Sequence, residues 1–476
     1  MTRSLITLAP FSLALIAASP NALADESAAL ADLSARLRRI EAKLAGDEPV
    51  AVDPAELNAL TQRLAILERR LEIAQEDAAA KAPLTPAVAV NDKGLSIKSA
   101  PPGDFEIRLR GGLQFDQRYL DDDDAAPIND TALFRRIRPS LEGTFGPLVA
   151  FRIVPELAED TTSLIDATID LKFSPAYSLR VGRMKGPIGL ERLASWNALA
   201  MTERGFPTEL APNREVGAQL FGELAQGTVN YAIGVFNGTA DGRNGSASDP
   251  DNHVELEGRL FFEPWKNAAN AWSGLGFGIA GSVGDKEGLG NAFLPRYRTP
   301  GQNVFFNYRN TVAADGEHQR WSPHAWFYRN GLGLQAEYIR SRQTVALPSL
   351  VDSQLALDHD AWQLTGSWVL TGEAAGYKGL ARVDAPFSVG APGWGAFELV
   401  GRYGELDIDD RAFPRYADPA ISASAARSWG LGLNWYLTSN LKLVFNHTNA
   451  HFDGGAANGH DRPDERSFIS RVQVAF

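Results

Sequence analysis

Apolar side chains follow two different periods along this chain, and the change of period divides it into two regions. From Leu30 to Leu71, leucine and isoleucine recur at spacings of three and four residues, with an interruption between Gly46 and Pro54. That spacing places side chains on one face of an α-helix. From Phe105 onward, apolar residues alternate with polar ones, which is typical of β-strands that have one apolar face. The sequence therefore predicts a helical N-terminal region followed by a long β-sheet region.

The alternation is clearest at the two ends of the β-sheet region. In residues 105–110 the odd positions are apolar and the even positions are charged. In the final stretch, 467–476, one face carries Phe468, Val472, Val474 and Phe476, with Ser470 as a polar exception. An apolar outer face and an aromatic C-terminus suit the closing strand of an outer-membrane β-barrel. A soluble β-sandwich would show the same period, so the period alone does not distinguish the two.

The lengths of the connections favour the barrel. Tight turns are predicted near residues 146, 174, 226, 330 and 439, and long polar connections mostly alternate with them. The long connections are Leu120 to Asp130, Gly186 to Arg214, Asn237 to Asn252, Asp285 to Gln319, Gln343 to Leu357, Asp407 to Arg427 and His451 to Arg466. Short periplasmic turns and long external loops are typical of outer-membrane barrels, which close completely because lipid cannot satisfy open sheet edges.

We therefore predict an all-β membrane protein, a 16-stranded antiparallel outer-membrane β-barrel over residues 105–476, with an N-terminal α-helical coiled-coil segment. An even strand number returns both chain ends to the periplasm, and a barrel of this size encloses an aqueous channel. Residues 1–24 read as a signal peptide, with Arg3 before an apolar stretch and small residues at the cleavage position. Residues 25–80 are the predicted periplasmic coiled coil, and the proline-containing residues 81–104 are a predicted linker.

Composition narrows the functional classes. Cysteine is absent, which excludes disulfides and thiolate chemistry, and the net charge of −12 argues against a nucleic-acid-binding protein. We find no catalytic motif, and we predict that the protein is not an enzyme and uses neither a cofactor nor a metal. The barrel lies in the outer membrane of a Gram-negative bacterium in this interpretation, so its function concerns what crosses its interior.

Several segments resemble one known family. Residues 181–192 (VGRMKGPIGLER) and 210–217 (LAPNREVG) are similar to landmarks of the phosphate-selective porin O and P family, as are 396–403 and 432–437. The resemblance extends over roughly residues 105–476. It implies a homotrimer of sixteen-stranded barrels in which the third external loop folds into the lumen and forms a constriction.

The same resemblance implies candidate anion-binding residues. The family's cationic residue after "GLE", a nearby serine and an arginine further along the loop fall on Arg192, Ser195 and Arg204. Its paired arginines fall on Arg135 and Arg136, which form a basic patch with Arg138. This chain has Arg192-Leu193-Ala194-Ser195-Trp196 where phosphate binders carry lysine and a serine pair, so a general anion preference stays open beside phosphate selectivity.

Further candidates come from position and charge rather than from the resemblance. Strand parity places Arg108, Arg110, Arg259 and Arg471 on the face opposite the apolar one. Lys185 is a cation of the third long loop, and Arg138 belongs to the basic patch with Arg135 and Arg136. We predict that these six residues line the pore. Glu191 and Glu203 lie in the same loop as the candidate anion-binding residues, and they could hold its arginines or the barrel wall by paired hydrogen bonds.

The sequence thus predicts a diffusion channel for small anions, phosphate or related oxyanions, bound transiently at an arginine-lined constriction. Rings of cationic groups replace part of the hydration of a permeating anion, and binding must stay weak enough for release. Two alternatives remain open: a general or cation-preferring porin, and a barrel that anchors a periplasmic coiled coil to the cell wall. Expected partners are small anions, outer-membrane lipid and lipopolysaccharide, and two further copies of the chain.

Overall fold

The computed structural model describes Ala35 and residues 54–81, 86–100, 104–122, 130–158, 161–390 and 392–476. The predicted signal peptide and the first half of the predicted coiled coil, apart from Ala35, lie outside the described residues. The chain divides into two units, one containing the N-terminal helix and the other containing the β-sheet.

The N-terminal unit contains one long described helix, α1 (Pro54–Lys81). Its 28 residues include the second stretch of three-and-four spacing, so the prediction of a helix there is confirmed. Ile66 and Ile73 are exposed on it. Whether α1 pairs in a coiled coil stays a prediction. None of the described helices is long and apolar enough to span a membrane.

Sixteen antiparallel strands form the closed barrel, which confirms the predicted strand number. Each strand pairs with its neighbours in chain order, and the last pairs with the first. The strands are β3 (Phe105–Asp122), β4 (Thr131–Phe145), β5 (Val149–Glu156), β6 (Ser163–Ser174), β7 (Tyr177–Lys185), β8 (Arg214–Leu224), β9 (Val229–Phe236), β10 (Glu255–Phe262), β11 (Leu275–Leu289), β14 (Ala313–Arg329), β15 (Leu332–Ala346), β16 (Leu355–Val369), β17 (Ala396–Asp407), β18 (Ala423–Tyr436), β19 (Leu441–Gly454) and β20 (Glu465–Ala475).

The C-terminal residue completes the closure. Phe476 and Gly111 exchange two backbone hydrogen bonds of 2.9 Å, and Ala475 lies opposite Gly112 of β3. Every ladder position between β20 and β3 is then paired as far as the chain extends, which is what a hydrocarbon environment requires of backbone polar groups.

A short hairpin pairs with the part of β3 that lies beyond the end of β20. It consists of β1 (Ala87–Asn91) and β2 (Gly94–Lys98), and β2 pairs with Glu106–Leu109 of β3. The hairpin falls within the predicted linker, and the sequence analysis did not predict it. It covers a strand edge that β20 is too short to reach, and exposed edges of this kind promote association with other strands.

The two faces of the barrel differ as the period of two predicts. The outward face carries exposed aliphatic and aromatic side chains, among them Phe105, Ile169, Ile279, Trp368 and Leu431. The inward face carries polar residues that are buried inside the barrel, including Gln114, Glu337, Asn434 and Lys442. A small two-stranded sheet, β12 (Arg296–Arg298) and β13 (Val304–Asn307), lies in the connection between β11 and β14.

A charged side chain on the outward face should destabilise the folded protein by an amount that depends on its depth in the bilayer. We expect Leu431→Arg, near the middle of β18, to lower the free energy of unfolding in a bilayer by about 2–4 kcal/mol. The matched change Leu289→Arg, at the end of β11, should cost about 0–1 kcal/mol because the charge reaches the interface. Denaturant titration of both variants in liposomes measures the difference, and equal costs would contradict the assignment of this face to lipid.

Candidate functional site

The connection between β7 and β8, residues 186–213, lies inside the barrel, and we call it loop 3. It contains two short helices, α2 (Leu190–Leu193) and α3 (Pro207–Leu210). Inward side chains from distant strands bind its backbone: Asn434 Nδ2 donates to the carbonyl of Ala200 at 2.9 Å, Lys442 Nζ to that of Leu199 at 3.0 Å, and Gln473 Nε2 to that of Asn197 at 3.0 Å. Loop 3 therefore reaches across the lumen to β18, β19 and β20.

Two glutamates hold the first helix of loop 3 against the wall. Glu337 of β15 accepts hydrogen bonds from the backbone N–H groups of Leu190 (2.6 Å) and Glu191 (3.1 Å). These are orphan donors at a helix start, and a carboxylate satisfies them favourably. Glu191 in turn accepts from the N–H of Gly205 at 2.7 Å and from Arg402 Nη1 at 3.2 Å. Positions 191 and 205 are thereby fixed to each other and to β17.

The indole of Trp196 lies directly over the wall at Gly112. A Cβ atom at position 112 would lie 2.3 Å from Cη2 of Trp196, closer than any real contact. A larger residue at position 112 would therefore displace the indole, and its Cβ atom would also lie 2.4 Å from the carbonyl oxygen of Val474.

The centre of loop 3 is held by four arginines that surround Glu203, and we call Arg118, Arg135, Arg136 and Arg471 the arginine cage. The distances from their guanidinium nitrogens to the Glu203 carboxylate are 3.0 Å for Arg118, 2.6 Å for Arg135, 3.7 Å for Arg136 and 3.2 Å for Arg471. Burial alone would raise the pKa of Glu203, but the cage holds it well below its usual range. Glu203 is therefore ionised at neutral pH inside the barrel.

A β-bulge explains why two consecutive arginines both point inward. Neighbouring residues of a strand normally face opposite sides. Between β3 and β4, Gln114 lies opposite Arg136 while Phe115 lies opposite Phe134, so Arg135 is the extra residue of the bulge. Arg135 binds Glu203, and Arg136 Nη1 donates to Gln114 Oε1 at 2.5 Å.

The arginine cage has more positive than negative charge. Besides Glu203 it contains one further carboxylate, Asp116, which accepts from Arg471 Nε at 2.6 Å and Arg118 Nη2 at 2.8 Å. Four guanidinium groups thus share two carboxylates.

A cavity of about 1230 Å³ lies between loop 3 and the strands β3 to β10. Nine cationic side chains line it against five acidic ones, Glu106, Glu142, Asp166, Asp170 and Glu223. The cationic ones are Arg108, Arg138, Arg152, Lys172, Arg180, Lys185, Arg204, Arg214 and Arg259. The lining has a positive balance although the chain as a whole carries a net charge of −12.

Two of these cations bind backbone carbonyls of loop 3. Lys185 Nζ donates to the carbonyls of Arg192 at 2.7 Å and Ala194 at 3.0 Å. Arg204 donates through Nε to the carbonyl of Glu191 at 2.9 Å and through Nη2 to that of Ala194 at 2.8 Å. Neither forms a salt bridge with a carboxylate among the described residues. Burial lowers the pKa of Arg204 to about 10, so the guanidinium stays charged at neutral pH.

The structure brings some of the predicted residues together and separates others. Ser195 is exposed and lines the cavity with Arg204 and Lys185. Arg192 is buried away from the cavity lining, and its Nη2 donates to the carbonyl of Thr208 at 2.5 Å. Burial lowers its pKa to about 9.

The remaining predicted pore-lining residues have local partners or lie elsewhere. Arg108 forms two hydrogen bonds of 2.7 Å to Glu106, and Arg138 Nε donates to Glu156 at 2.6 Å. Arg259 Nε donates to His324 at 3.2 Å, and its guanidinium lies 4.5 Å from the Phe261 ring centre. All three arginines line the cavity, whereas Arg110 and Arg471 do not.

The sequence analysis missed Arg118 and Arg214. Arg118 follows Asp116 by two positions on β3, so strand parity could have placed it on the inner face. Arg214 Nε donates to Asp166 at 2.9 Å at the point where loop 3 returns to β8. Its position at a loop end gave no signal, because the direction of a side chain there does not follow from strand parity.

Comparisons with known proteins find similarities over most of the chain. The sequence profile described as "Phosphate-selective porin O and P" matches residues 107–476. Porin O of Pseudomonas aeruginosa is 25% identical over 424 residues, which cover 82% of this chain and 92% of that protein. An uncharacterized protein of Caulobacter vibrioides is 22% identical over 408 residues, covering 78% and 74% respectively. The outer membrane channel DcaP of Acinetobacter baumannii aligns with 78% of this chain and 98% of its own, at 12% identity and a TM-score of 0.49.

The closed sixteen-stranded barrel, its apolar outer face and its polar interior define an outer-membrane channel of the porin class. The family match covers the whole barrel. The chain belongs to the phosphate-selective porin O and P family.

Proposed function

We propose that the protein is an anion-preferring diffusion channel of the outer membrane that passes small oxyanions such as phosphate. The observation that carries the proposal is the cavity beside loop 3, with nine cationic and five acidic side chains in its lining. An anion that enters it meets guanidinium and ammonium groups that replace part of its hydration shell.

Within the cavity, we propose that Arg204, Lys185 and Ser195 form the anion-binding segment. Arg204 and Lys185 are held in place by neutral carbonyls, and neither forms a salt bridge with a carboxylate among the described residues. The Nη1 group of Arg204 has no hydrogen-bond partner among the described residues. A guanidinium edge and a serine hydroxyl match the acceptor oxygens of phosphate or a carboxylate.

The arginine cage has a different role in this proposal. Arg135 and Arg136, which we predicted to bind the permeating anion, bind Glu203 and Gln114. Glu203 occupies the position that a bound anion would otherwise take, so the cage fixes loop 3 in the lumen. Arg192 likewise supports loop 3 through its bond to Thr208. The constriction that we propose therefore depends chiefly on Arg204 for its charge.

The family description, "Phosphate-selective porin O and P", supports phosphate as the solute class. Selectivity for phosphate over other anions is the narrower part of the proposal. The departure at Arg192 to Trp196 leaves one serine, Ser195, in this stretch of loop 3, so the stretch offers fewer neutral donors to a phosphate group than the family pattern does.

A planar-bilayer measurement tests the proposal directly. We expect the reversal potential in a potassium chloride gradient to have the sign of anion permeation, because the lining has a positive balance. We also expect added inorganic phosphate to reduce the chloride current, since an oxyanion that binds arginine more tightly occupies the path for longer. A reversal potential of the opposite sign would reject the anion channel and favour a cation-preferring porin. An unaltered chloride current would reject the phosphate site alone.

The expected assembly completes the proposal. We infer a homotrimer in an outer membrane containing lipopolysaccharide, with the helical N-terminal segment in the periplasm.

Deleting residues 26–80 distinguishes the channel from the anchoring alternative. Conductance survives the deletion if the segment is accessory, whereas an anchor loses its attachment to the cell wall.

A further inference from the structure

Three glutamates form a buried cluster on the barrel wall near the beginning of loop 3. Glu215 lies on β8, and Glu255 and Glu257 lie on the same face of β10. Their exposed fractions are 0%, 2% and 1%. One carboxylate oxygen from each lies within 4.8 Å of those of the other two. Like charges this close repel strongly when they are removed from water.

The oxygens of this cluster lack the partners that buried carboxylates normally have. Both oxygens of Glu215 and both oxygens of Glu257 are buried without a hydrogen-bond partner among the described residues, as is Oε2 of Glu255. Buried carboxylates almost always accept hydrogen bonds or bind a cation. Four unpartnered oxygens on two side chains that point at the same spot therefore indicate a missing ligand with positive charge.

The charged groups around the cluster leave it with a net negative charge. Glu255 is paired with Arg320 and lies 3.5 Å from Lys286, and Arg320 Nε also donates to Asp241 at 2.6 Å. The connected group thus contains four carboxylates, from Glu215, Glu255, Glu257 and Asp241, against two cations. With the adjacent His318 uncharged, the balance is two negative charges.

We propose that Glu215, Glu255 and Glu257 bind one divalent cation, with Ca²⁺ as the preferred ion. Ca²⁺ lies about 2.3–2.6 Å from its oxygen ligands, so oxygens bound to one ion lie up to about 5 Å apart, as the carboxylates do here. It also accepts irregular geometry and bidentate carboxylates, whereas Mg²⁺ demands an octahedron and retains several waters. The near-zero exposure of the three side chains therefore favours Ca²⁺.

The site would connect loop 3 to the wall. A Cβ atom at Gly186, the first residue of loop 3, would lie 2.0 Å from Oε2 of Glu257. On the other side, a Cβ atom at Gly238 would lie 3.0 Å from Oε2 of Glu255. The backbone of loop 3 and that of the connection after β9 therefore lie against the cluster and cover it. A bound ion would hold β8, β10 and the beginning of loop 3 together.

The sequence analysis predicted no metal site, because only the pairing of distant strands brings the three glutamates together. Position 215 is about forty residues from positions 255 and 257, and only the pairing of β8, β9 and β10 brings them together. No short spacing motif marks such a site. The inference is independent of the anion preference proposed above, since it concerns the wall and not the permeation path.

Calcium titration of the full-length protein tests the site. The protein is refolded in detergent without lipopolysaccharide, treated with EDTA, and titrated with CaCl₂ by isothermal calorimetry. We expect one Ca²⁺ bound per chain and a higher unfolding temperature in its presence, because a ligand that binds only the folded state stabilises it. Glu257→Gln and Glu215→Gln should each weaken binding at least tenfold. Glu223→Gln, an exposed position on the same strand as Glu215, should leave it unchanged.

The calcium-free variants supply a second measurement that does not depend on calorimetry. Glu257→Gln removes one of three mutually repelling charges, so the calcium-free variant should unfold at or above the temperature of the calcium-free wild type. Added Ca²⁺ should then raise its unfolding temperature less than it raises that of the wild type. The proposal is overturned if the wild type does not bind Ca²⁺, in which case Glu215 and Glu257 share protons instead. It is also overturned if the wild type and both cluster variants bind Ca²⁺ equally, because the ion then lies elsewhere in the protein.

Discussion

Replacing Glu203 by glutamine should destabilise the folded barrel by about 3–5 kcal/mol, the cost of removing one partner from a buried ion network. Glutamine keeps the size of the side chain but leaves the four guanidinium groups of the arginine cage with Asp116 as their remaining carboxylate. We expect the variant to unfold at lower denaturant concentration than the wild type. The loss of heat-modifiable mobility in gels, or of β-sheet circular dichroism, measures the change.

Added oxyanion should restore part of this loss. Phosphate or sulfate can occupy the position of the missing carboxylate and bind the same arginines, so it should stabilise Glu203→Gln more than the wild type. Glu405→Gln is the matched control, because Glu405 is paired with the more exposed Arg427 at 3.0 Å and such a pair contributes about 0–1 kcal/mol. Equal stability of Glu203→Gln and the wild type would mean that the cage does not hold loop 3.

The strands could be predicted because the environment of each strand residue depends on its position within the strand. A residue on a transmembrane strand faces either lipid or the lumen, so alternation along the sequence reports the face directly. This is why Arg108, Arg259 and Arg471 could be placed on the inner face. It is also why the number of strands followed from counting segments and turns.

The path of loop 3 was not predictable from its own sequence. Its course is fixed by contacts between distant positions, such as the hydrogen bond of 2.5 Å from Thr202 N to Asn446 Oδ1, which are 244 residues apart. Only the resemblance to a family implied that the loop lies inside. The charges of the loop nearly balance in the sequence, and the structure resolves that balance in space: Glu203 and Glu191 bind the wall arginines, while Arg204 lines the cavity.

Contacts between distant residues also limited the assignment of site residues from the family pattern. The resemblance placed Arg192 and Ser195 at the same anion-binding zone, but here they separate because Arg192 lies within α2 and turns toward Thr208 of α3. The inward direction of Arg135 depends on a β-bulge, which places an extra residue in β4. A strict period of two cannot place both Arg135 and Arg136 on one face.

Loop glutamates and permeating anions compete for the same arginines, and the structure divides the arginines between them. Those of the arginine cage and Arg402 bind Glu203 and Glu191 and so position loop 3. Among the arginines that line the cavity, Arg138 and Arg214 are also paired with carboxylates, whereas Arg204 is held on neutral carbonyls. Strong, paired charges suit a support, whereas a permeation path needs charges that bind weakly and release. This division explains why more arginine in a porin lumen need not mean tighter binding of its solute.

Replacing Arg204 by methionine should lower the anion-to-cation permeability ratio by roughly two- to fivefold. A unit charge about 8 Å from an ion contributes roughly 0.5 kcal/mol in water-like surroundings, and its removal affects anions and cations in opposite directions. Methionine retains the apolar stem, so loop 3 loses two hydrogen bonds, to Glu191 and Ala194, but little packing. Reversal potentials in a potassium chloride gradient measure the ratio.

Two companion variants separate charge from structure in this experiment. Arg204→Lys keeps the charge and should keep most of the anion preference, although it loses the planar fork. Arg152→Met removes another cation from the same cavity, but Arg152 is half exposed and lies 3.4 Å from Glu142, so its field is largely compensated. We expect it to change the ratio less than Arg204→Met does. Equal effects of the two methionine variants would mean that the cavity acts through its total charge, with no special contribution from the arginine that loop 3 holds on neutral carbonyls.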